Sequence, residues 1–571
     1  MAESKSRKQV FIDYYTQDDY EDTLVRLPGI AQQAERRAME ELEPRIDERR
    51  AVMAFIKNFI KEKKRKVYGG TAVNELIKAK NPGDAIYSDY CFSDIEFYSP
   101  TPVLDLIELC NALHKNGFKY VQGQGAQHEG SYKIHVNFIL YCDISHCPTN
   151  VYHGIKSIPI DGINYNDPHF IWIDQLRMFT APMTAYNIWE KNFKRSFLLL
   201  KHYPPEYFDR PININKPTDD ISILFQKIKK EFLTRTDISG ITLLGGFDAY
   251  NFYIRHATGT ANREELLGGG PKYETNVPFI ELFSVNYQDT VIALHAFIKK
   301  IVPNVDLITL EENYPLFQFT GYSITIKYND KPLVKVYDRD NYCIPDVKVK
   351  IGIRYVSYQY VVMTFLMHKF QCHLNKQKEM YFNYGVAISN LIQVRNMYLD
   401  KNKLLVINDT IFSEFRTICI GSTTSVLREG FLRKMEKTSK GKKITHFRYS
   451  PEDFFGQSDE DQKKNFEKMI KFDHGGFANT SGNTIKYPKN MRFKLNEQLD
   501  LVVGLDKETA SESETEVETE TEIGTETESG TGTGTESKPE SKTETESGNE
   551  SKTETETEIE TESETESETK I

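Results

Sequence analysis

Three short elements occur in the same order twice along this 571-residue chain. Gly69-Gly70-Thr71-Ala72-Val73-Asn74 is echoed by Gly245-Gly246-Phe247-Asp248-Ala249-Tyr250-Asn251, one residue longer. Asp94-Ile95-Glu96-Phe97-Tyr98-Ser99 is echoed by Phe279-Ile280-Glu281-Leu282-Phe283-Ser284. Asp143 ends the apolar run Phe138 to Cys142, and Asp338 ends the run Leu333 to Tyr337. A helical pattern separates the second and third elements in both stretches. One such match is within reach of chance, but three in order point to an internal duplication. The alternative is a pair of unrelated α+β segments.

The first copy carries the chemistry. Side chains two apart on a strand share a face, so Asp94 and Glu96 look into one site while Ile95 faces the core. Adjacent carboxylates repel, which raises a pKa unless a cation intervenes. Magnesium takes hard oxygen ligands and shares its shell with substrate phosphates. Asp143 on a neighbouring strand supplies a third carboxylate, and three carboxylates suffice for two ions in phosphoryl transfer. Gly69-Gly70 offers bare backbone at the start of a helix read from Ala72 to Lys80, where amides approach phosphate closely. The Thr71 hydroxyl adds a further donor.

Composition bounds the setting. From Lys507 to the end, 22 Glu stand against 5 Lys, a net −17. Residues 1–506 therefore carry +6 of the chain's formal −11, a balance suited to polyanionic partners. The Thr/Glu/Ser-rich tail 507–571 has too little apolar surface to fold and is expected to be disordered. An acidic tail of this kind is also a candidate competitor with a polyanionic partner for basic patches. The seven cysteines are odd in number and scattered, which predicts a reduced, cytosolic chain without a disulfide framework. No apolar signal core opens the chain, and no run nears the roughly 18 residues of a membrane span. The longest run, Tyr360 to Met367, reads as a buried helix.

Residues 1–30 read as loosely held. Helices are expected at Ala31 to Glu43 and Ile46 to Lys61, then after Thr101-Pro102 as far as Asn116. Phe92 to Tyr98 alternates as a strand, and two or three strands follow, the last from Asn137 to Ile144. A helical stretch from Asp174 to Tyr203, interrupted at Pro182, carries Lys191, Lys194 and Arg195 near one face. These three are candidates for triphosphate contacts, with Tyr186 or Trp189 stacking on a base. Helices are also expected over Asp220 to Thr234, Arg354 to Lys376 and Lys378 to Leu399. The organisation that results is an N-terminal helical region (1–60), an active domain with its following helices (61–235), a degenerate domain (236–345), a helical and basic region (346–506) and the tail (507–571).

The order Gly-Gly, apolar-Asp-apolar-Glu-apolar, then a later Asp, resembles the DNA polymerase β-like nucleotidyltransferase superfamily over residues 60–200. Within it the chain is most similar to the poly(A) polymerase catalytic subunits of poxviruses and giant, mimivirus-like DNA viruses. A loop from Asn81 to Ser88 lengthens the interval between Gly70 and Asp94. The resemblance implies an α+β fold with duplicated polymerase β-like domains, the first active and the second degenerate. It implies that Asp94, Glu96 and Asp143 ligate Mg2+ or Mn2+, and that Gly69, Gly70 and Thr71 hold the ATP triphosphate. The implied reaction is template-independent addition of AMP from ATP to an RNA 3′ end. The implied setting is the cytoplasm of infected cells or a viral factory, with virion packaging, a homodimer and a processivity subunit left open. Another transferase of the superfamily (oligoadenylate synthase, CCA-adding enzyme or protein nucleotidylyltransferase) and a catalytically silent RNA-binding scaffold remain the alternatives.

In the second copy Phe279 stands where Asp94 stands, so a two-metal site should fail there. Basic residues over 428–448 with Phe431, Phe447 and the adjoining Tyr449, and the stretch from Arg354 to Tyr360, are the candidate RNA contacts.

Overall fold

The computed structural model describes residues 16–41, 46–87, 93–258 (apart from 127 and 129), 273–349, 352–424, 428, 431 and 447–454. The tail and most of the basic segment 428–448 lie outside the described residues.

The strands of the first half are β1 (Lys66–Tyr68), β2 (Ile95–Ser99), β3 (Gln122–Gly125), β4 (Ser131–Val136), β5 (Ile139–His146), β6 (Ser157–Ile160) and β7 (Ile163–Asn166). Those of the second are β8 (Thr242–Leu244), β9 (Ile280–Ser284), β10 (Ile308–Asn313), β11 (Ser323–Tyr328), β12 (Lys331–Asp338), β13 (Ile344–Lys348), β14 (Arg354–Val356) and β15 (Cys419–Ile420). A late strand, β16 (Arg448–Tyr449), returns to the first half. The chain thus forms two mixed sheets, ordered β16-β3-β4-β5-β2-β1-β7-β6 and β10-β11-β12-β9-β8-β14-β13-β15.

Seven strands of the two orders correspond, β3-β4-β5-β2-β1-β7-β6 with β10-β11-β12-β9-β8-β14-β13, while β16 and β15 extend opposite edges. β1 and β8 run antiparallel to β2 and β9, which run parallel to β5 and β12. Even the irregularity recurs, between Ile134 and His135 in one hairpin and between Ile326 and Lys327 in the other.

Register corrects two of the sequence matches. Glu96 pairs with Asp143 across β2 and β5, whereas Glu281 pairs with Lys335 across β9 and β12. Lys335 therefore holds the place of Asp143. Asp338, matched with Asp143 because it ends an apolar run, pairs with Ser284, as His146 pairs with Ser99. At the glycine turn, Gly69 and Gly246 share positive φ (68° and 56°) and each backs onto its copy's glutamate. Gly246 is thus the equivalent of Gly69, Phe247 that of Gly70, and no residue is inserted before Asn251. The two asparagines confirm this frame. Asn74 Oδ1 accepts from the amides of Ile86 (2.9 Å) and Tyr87 (3.0 Å), and Asn251 Oδ1 accepts from that of Thr275 (3.0 Å).

Burial follows the expected periodicities. Tyr132, Ile134 and Val136 alternate inward on β4, and Val103, Leu106, Leu109 and Leu113 line the buried face of helix Pro102–Lys115. Helix Tyr358–Leu374 is apolar on all sides and buried from Tyr358 to His368. One aromatic-rich core joins the halves through Tyr98, Phe170 and Trp172 from the first and Phe247, Phe283 and Phe365 from the second. No described helix is long and apolar enough to cross a membrane.

Three local expectations change. Residues 17–30 are helical, because one helix runs from Gln17 to Glu41. Thr16 and Asp19 start it with a reciprocal capping pair, Asp19 N to Thr16 Oγ1 (3.1 Å) and Thr16 N to Asp19 Oδ2 (2.9 Å). Arg354 to Val356 is a strand, and the following helix starts at Tyr358. Cys343 and Cys419, 76 residues apart, form a disulfide with Cα atoms 5.5 Å apart. The antiparallel pairing of β13 with β15 delivers them to each other. The other described cysteines, Cys110, Cys142, Cys147 and Cys372, are free and buried.

Candidate active site

The first-copy site forms where β1 ends and β2 begins. Tyr68, the last residue of β1, pairs with Glu96. The chain then enters helix Gly69–Lys80, so Gly69-Gly70 form its first turn. A methyl group at Gly69 would lie 1.6 Å from Glu96 Oε2, and φ there is +68°. The Gly70 amide donates to Glu96 Oε2 at 3.0 Å, one of the free N–H groups of a helix start. Thr71 Oγ1 donates to the Asp94 carbonyl at 3.0 Å and lies 3.3 Å from Ser93 Oγ. Thr71 thus ties the glycine turn to the acidic strand instead of pointing into open space.

Glu96 and Asp143 are register partners on adjacent strands, with Asp94 immediately before β2. Burial pushes Glu96 up to about 7, the charges of Asp94 and Asp143 add to this, and the Gly70 amide and Arg195 oppose it. Asp143 is likewise raised by burial, against Lys133. Lys133 pairs with Asp143 across β4 and β5, and its ammonium reaches both carboxylate oxygens at 3.0 and 3.1 Å. Among the described residues no group of three His, Cys, Asp or Glu side chains converges closely enough to hold a metal ion. The conformation explains this: Glu96 leans on the Gly70 amide and Lys133 occupies Asp143. The donor set still fits a hard divalent cation, since three carboxylates share one end of the sheet and the charge of Asp94 adds to the raising of Glu96 and Asp143.

Of the three basic candidates, Arg195 reaches the site. A methyl group at Gly70 would meet the Arg195 guanidinium at 2.5 Å and the Tyr87 hydroxyl at 2.4 Å. Arg195 also hydrogen-bonds that hydroxyl. Lys191 and Lys194, on the same helix Trp189–His202, are exposed. Trp189 is not placed to stack on a base. Its indole N–H donates to the Met178 carbonyl at 2.8 Å and its ring lies against Phe415, centroids 5.3 Å apart. Tyr186 is 66 % exposed. Phe447 packs edge-on to Tyr132, and Tyr449 donates to Asn111 at 2.5 Å, so both serve the sheet edge.

Two neighbours were missed from sequence. Lys133 had a signal, a lone Lys alternating with buried Tyr132 and Ile134 on β4. Tyr87 had none, because its place depends on Asn74 gripping the loop.

The second copy repeats the frame with different side chains. Phe279 precedes β9 as Asp94 precedes β2, and Lys335 replaces Asp143. Phe247, at the Gly70 position, is buried against Phe365 and Tyr384, so an aromatic ring fills the cradle. Glu281 is raised to about 7 by burial, with the Lys335 charge drawing it down. The Tyr337 hydroxyl donates to Glu281 at 3.0 Å and lies 3.0 Å from His368 Nε2, and burial drives His368 down to about 3.

Known proteins with this frame share a family. A family model described as poly(A) polymerase catalytic subunit matches residues 54–185, and one for the APMV poly(A) polymerase catalytic subunit, C-terminal, matches 219–495. A protein of Acanthamoeba polyphaga mimivirus carrying the poly(A) polymerase catalytic subunit name is 47% identical over 531 residues, 89% of this chain and 90% of its own. A protein of the same name from African swine fever virus (isolate Pig/Kenya/KEN-50/1950) is 24% identical over 265 residues, 45% of this chain and 51% of its own. The crystal structure of the Megavirus polyadenylate synthase superposes with a TM-score of 0.79 at 52% identity, covering 87% of this chain and 98% of that one. The chain belongs to the poly(A) polymerase catalytic subunit family.

Proposed function

We propose that the chain is a polynucleotide adenylyltransferase that transfers AMP from ATP to the 3′ end of RNA without a template. The observation that carries this reading is the strand pairing of Glu96 with Asp143, with Asp94 alongside, at the Gly69-Gly70 helix start. The two halves read as duplicated polymerase β-like domains, 61–235 active and 236–345 degenerate. The flanking parts are 1–60, 346–506 and the acidic tail 507–571.

In the reaction the RNA 3′ oxygen bonds to the α-phosphorus of ATP, the bond from that phosphorus to the bridging oxygen breaks, and pyrophosphate leaves with its electron pair. Asp94, Glu96 and Asp143 would hold Mg2+ or Mn2+, which supplies charge neutralisation for the attacking and leaving oxygens. The helix-start amides of Gly69 and Gly70 would cradle the triphosphate, the Gly70 N–H once Glu96 has turned from it, and Arg195 adds a fixed positive charge above them. Thr71 acts as a positioning residue that ties the cradle to Asp94. Lys133, which compensates Asp143 here, would give it up to a bound cation. Lys191 and Lys194 lie along the same helix as outer contacts for the phosphates. A second copy of the chain or a processivity subunit would extend the RNA path. The cytoplasm of infected cells and the virion are the settings that go with this family.

Primer extension with each single nucleoside triphosphate tests the reading. Long products with ATP alone support it. A short, defined addition using CTP and ATP, or 2′–5′ linkages, would assign the chain to a different acceptor class.

A further inference from the structure

The hairpin between β4 and β5 carries an exposed aromatic pair that neither the core nor the carboxylate site uses. Its two-residue turn, Asn137-Phe138, has positive φ at both positions (51° and 68°). That geometry favours Asn-Gly, and a bulky residue at positive φ is an outlier. Phe138 is nevertheless 73 % exposed and lies stacked on Tyr120, itself 48 % exposed, with centroids 5.1 Å apart and planes 28° apart. Tyr120 also has a positive φ, 52°.

The second copy is an internal control. Its matching turn, Asn329-Asp330, has φ of 51° and 58° and ordinary turn residues. The same backbone is therefore made without an aromatic ring in the copy that lacks the carboxylates. Only the copy with the carboxylates carries the exposed Phe.

Position gives the pair its meaning. Ile95, the first residue of β2, pairs with Cys142, so the start of β5 and its turn project past the end of β2 where Asp94 lies. Phe138 precedes Asp143 by five residues across the turn and the bulged start of β5, at most about 17 Å at about 3.4 Å per residue. That spans about five stacked nucleotides at about 3.4 Å each. Exposed Lys119 directly precedes Tyr120, and its carbonyl accepts the Asn137 amide of the turn. Glu452, which accepts from the Tyr120 amide at 3.0 Å, and Glu48, which accepts from the Asn137 side chain at 3.4 Å, are the facing acids. Stacked aromatics among basic residues are the usual platform for single-stranded nucleic acid.

We infer that Tyr120 and Phe138 form a stacking platform for the RNA substrate, holding a base about five nucleotides upstream of the 3′ end. This rests on the reading of the first-copy site as an RNA adenylyltransferase.

The test uses the full chain and a 15-nucleotide RNA with 2-aminopurine at the fifth position from its 3′ end. Binding should quench the fluorophore through stacking. Phe138→Gly should abolish the quench and raise the KM for RNA roughly five- to a hundredfold, the range of one base–aromatic stack. The KM for ATP should stay at the wild-type value. Because Phe138→Gly creates an Asn-Gly turn, its melting temperature should equal or exceed wild type. Tyr120→Ala should act in the same direction, and Phe138→Trp should restore the quench. Wild-type RNA affinity and quench in Phe138→Gly would overturn the platform, as would lost binding that merely tracks a lower melting temperature. A wild-type protein that quenches the probe yet never extends RNA would instead refute the adenylyltransferase reading and leave the platform standing.

Discussion

Lys335 stands in the second sheet where Asp143 stands in the first, each being the strand partner of a glutamate, Glu281 and Glu96. One sheet thus presents an acid at the position where the other presents a base. In the second copy a covalently attached ammonium supplies the positive charge that a cation would bring to the first. Burial lowers the Lys335 pKa and Glu281 raises it. Lys335→Ala should therefore cost about 1–3 kcal/mol in urea denaturation at pH 7. That is less than an orphaned buried charge normally costs, because Glu281 can take up a proton near pH 7. A loss that vanishes below pH 6 would mark this route.

The raised pKa of Glu281 makes stability depend on pH. Below the unfolded value of 4.5 the carboxyl is protonated in both states. Between that value and about 7 the unfolded chain ionises first, so stability falls as pH rises. The swing is on the order of 3 kcal/mol. His368, driven down to about 3, acts with the opposite sign and loses stability as pH falls through the histidine range. The informative quantity is therefore the difference between wild type and Glu281→Gln. It should decline from pH 4.5 to 7 and level off above that, measured as denaturation midpoints across pH.

Gly69→Ala places a methyl group on Glu96 Oε2 and forces a left-handed φ on a residue with a side chain. It should lower kcat/KM for extension by about a hundredfold or more, the cost of an ångström-scale displacement at a reacting centre. Circular dichroism should show a folded protein with a melting temperature only a few degrees lower.

Arg195 covers Gly70, while Lys191 and Lys194 stay exposed. Arg195→Ala should raise the KM for ATP roughly tenfold, as expected for a hydrogen bond to a charged group. Lys191→Ala and Lys194→Ala should each do less. Steady-state kinetics at varied ATP will rank them.

The carboxylates and the repeat were legible in the sequence because strand periodicity and a glycine turn are local signals. The pairing between copies was not. Asp338 sat at the end of an apolar run like Asp143, and nothing local reveals that the hairpin turn and its bulge place Lys335 opposite Glu281. The glycine frame slipped for the same reason, since Gly245-Gly246 looks like Gly69-Gly70 until the strand register aligns Gly245 with Tyr68. Arg195 and Trp189 share one helix, and only packing against Met178 and Phe415 separates the site residue from the core residue. The Cys343–Cys419 bridge depends on the pairing of β13 and β15 across 76 residues, beyond any local pattern. The helix from Gln17 was readable from its Thr16–Asp19 cap.

On two matching frames, the first site should work and the second should be silent. Extension of a labelled RNA primer with ATP and Mg2+ or Mn2+, comparing Asp94→Ala, Asp143→Ala and Glu281→Gln, tests it most directly. Asp94→Ala and Asp143→Ala should each abolish extension while remaining folded, and Glu281→Gln should keep turnover per folded molecule within about twofold of wild type, because catalysis is lost in orders of magnitude when a ligand to the reacting centre is removed. Extension surviving in Asp94→Ala or Asp143→Ala, or abolished in a stably folded Glu281→Gln, would overturn this assignment of a working and a silent site.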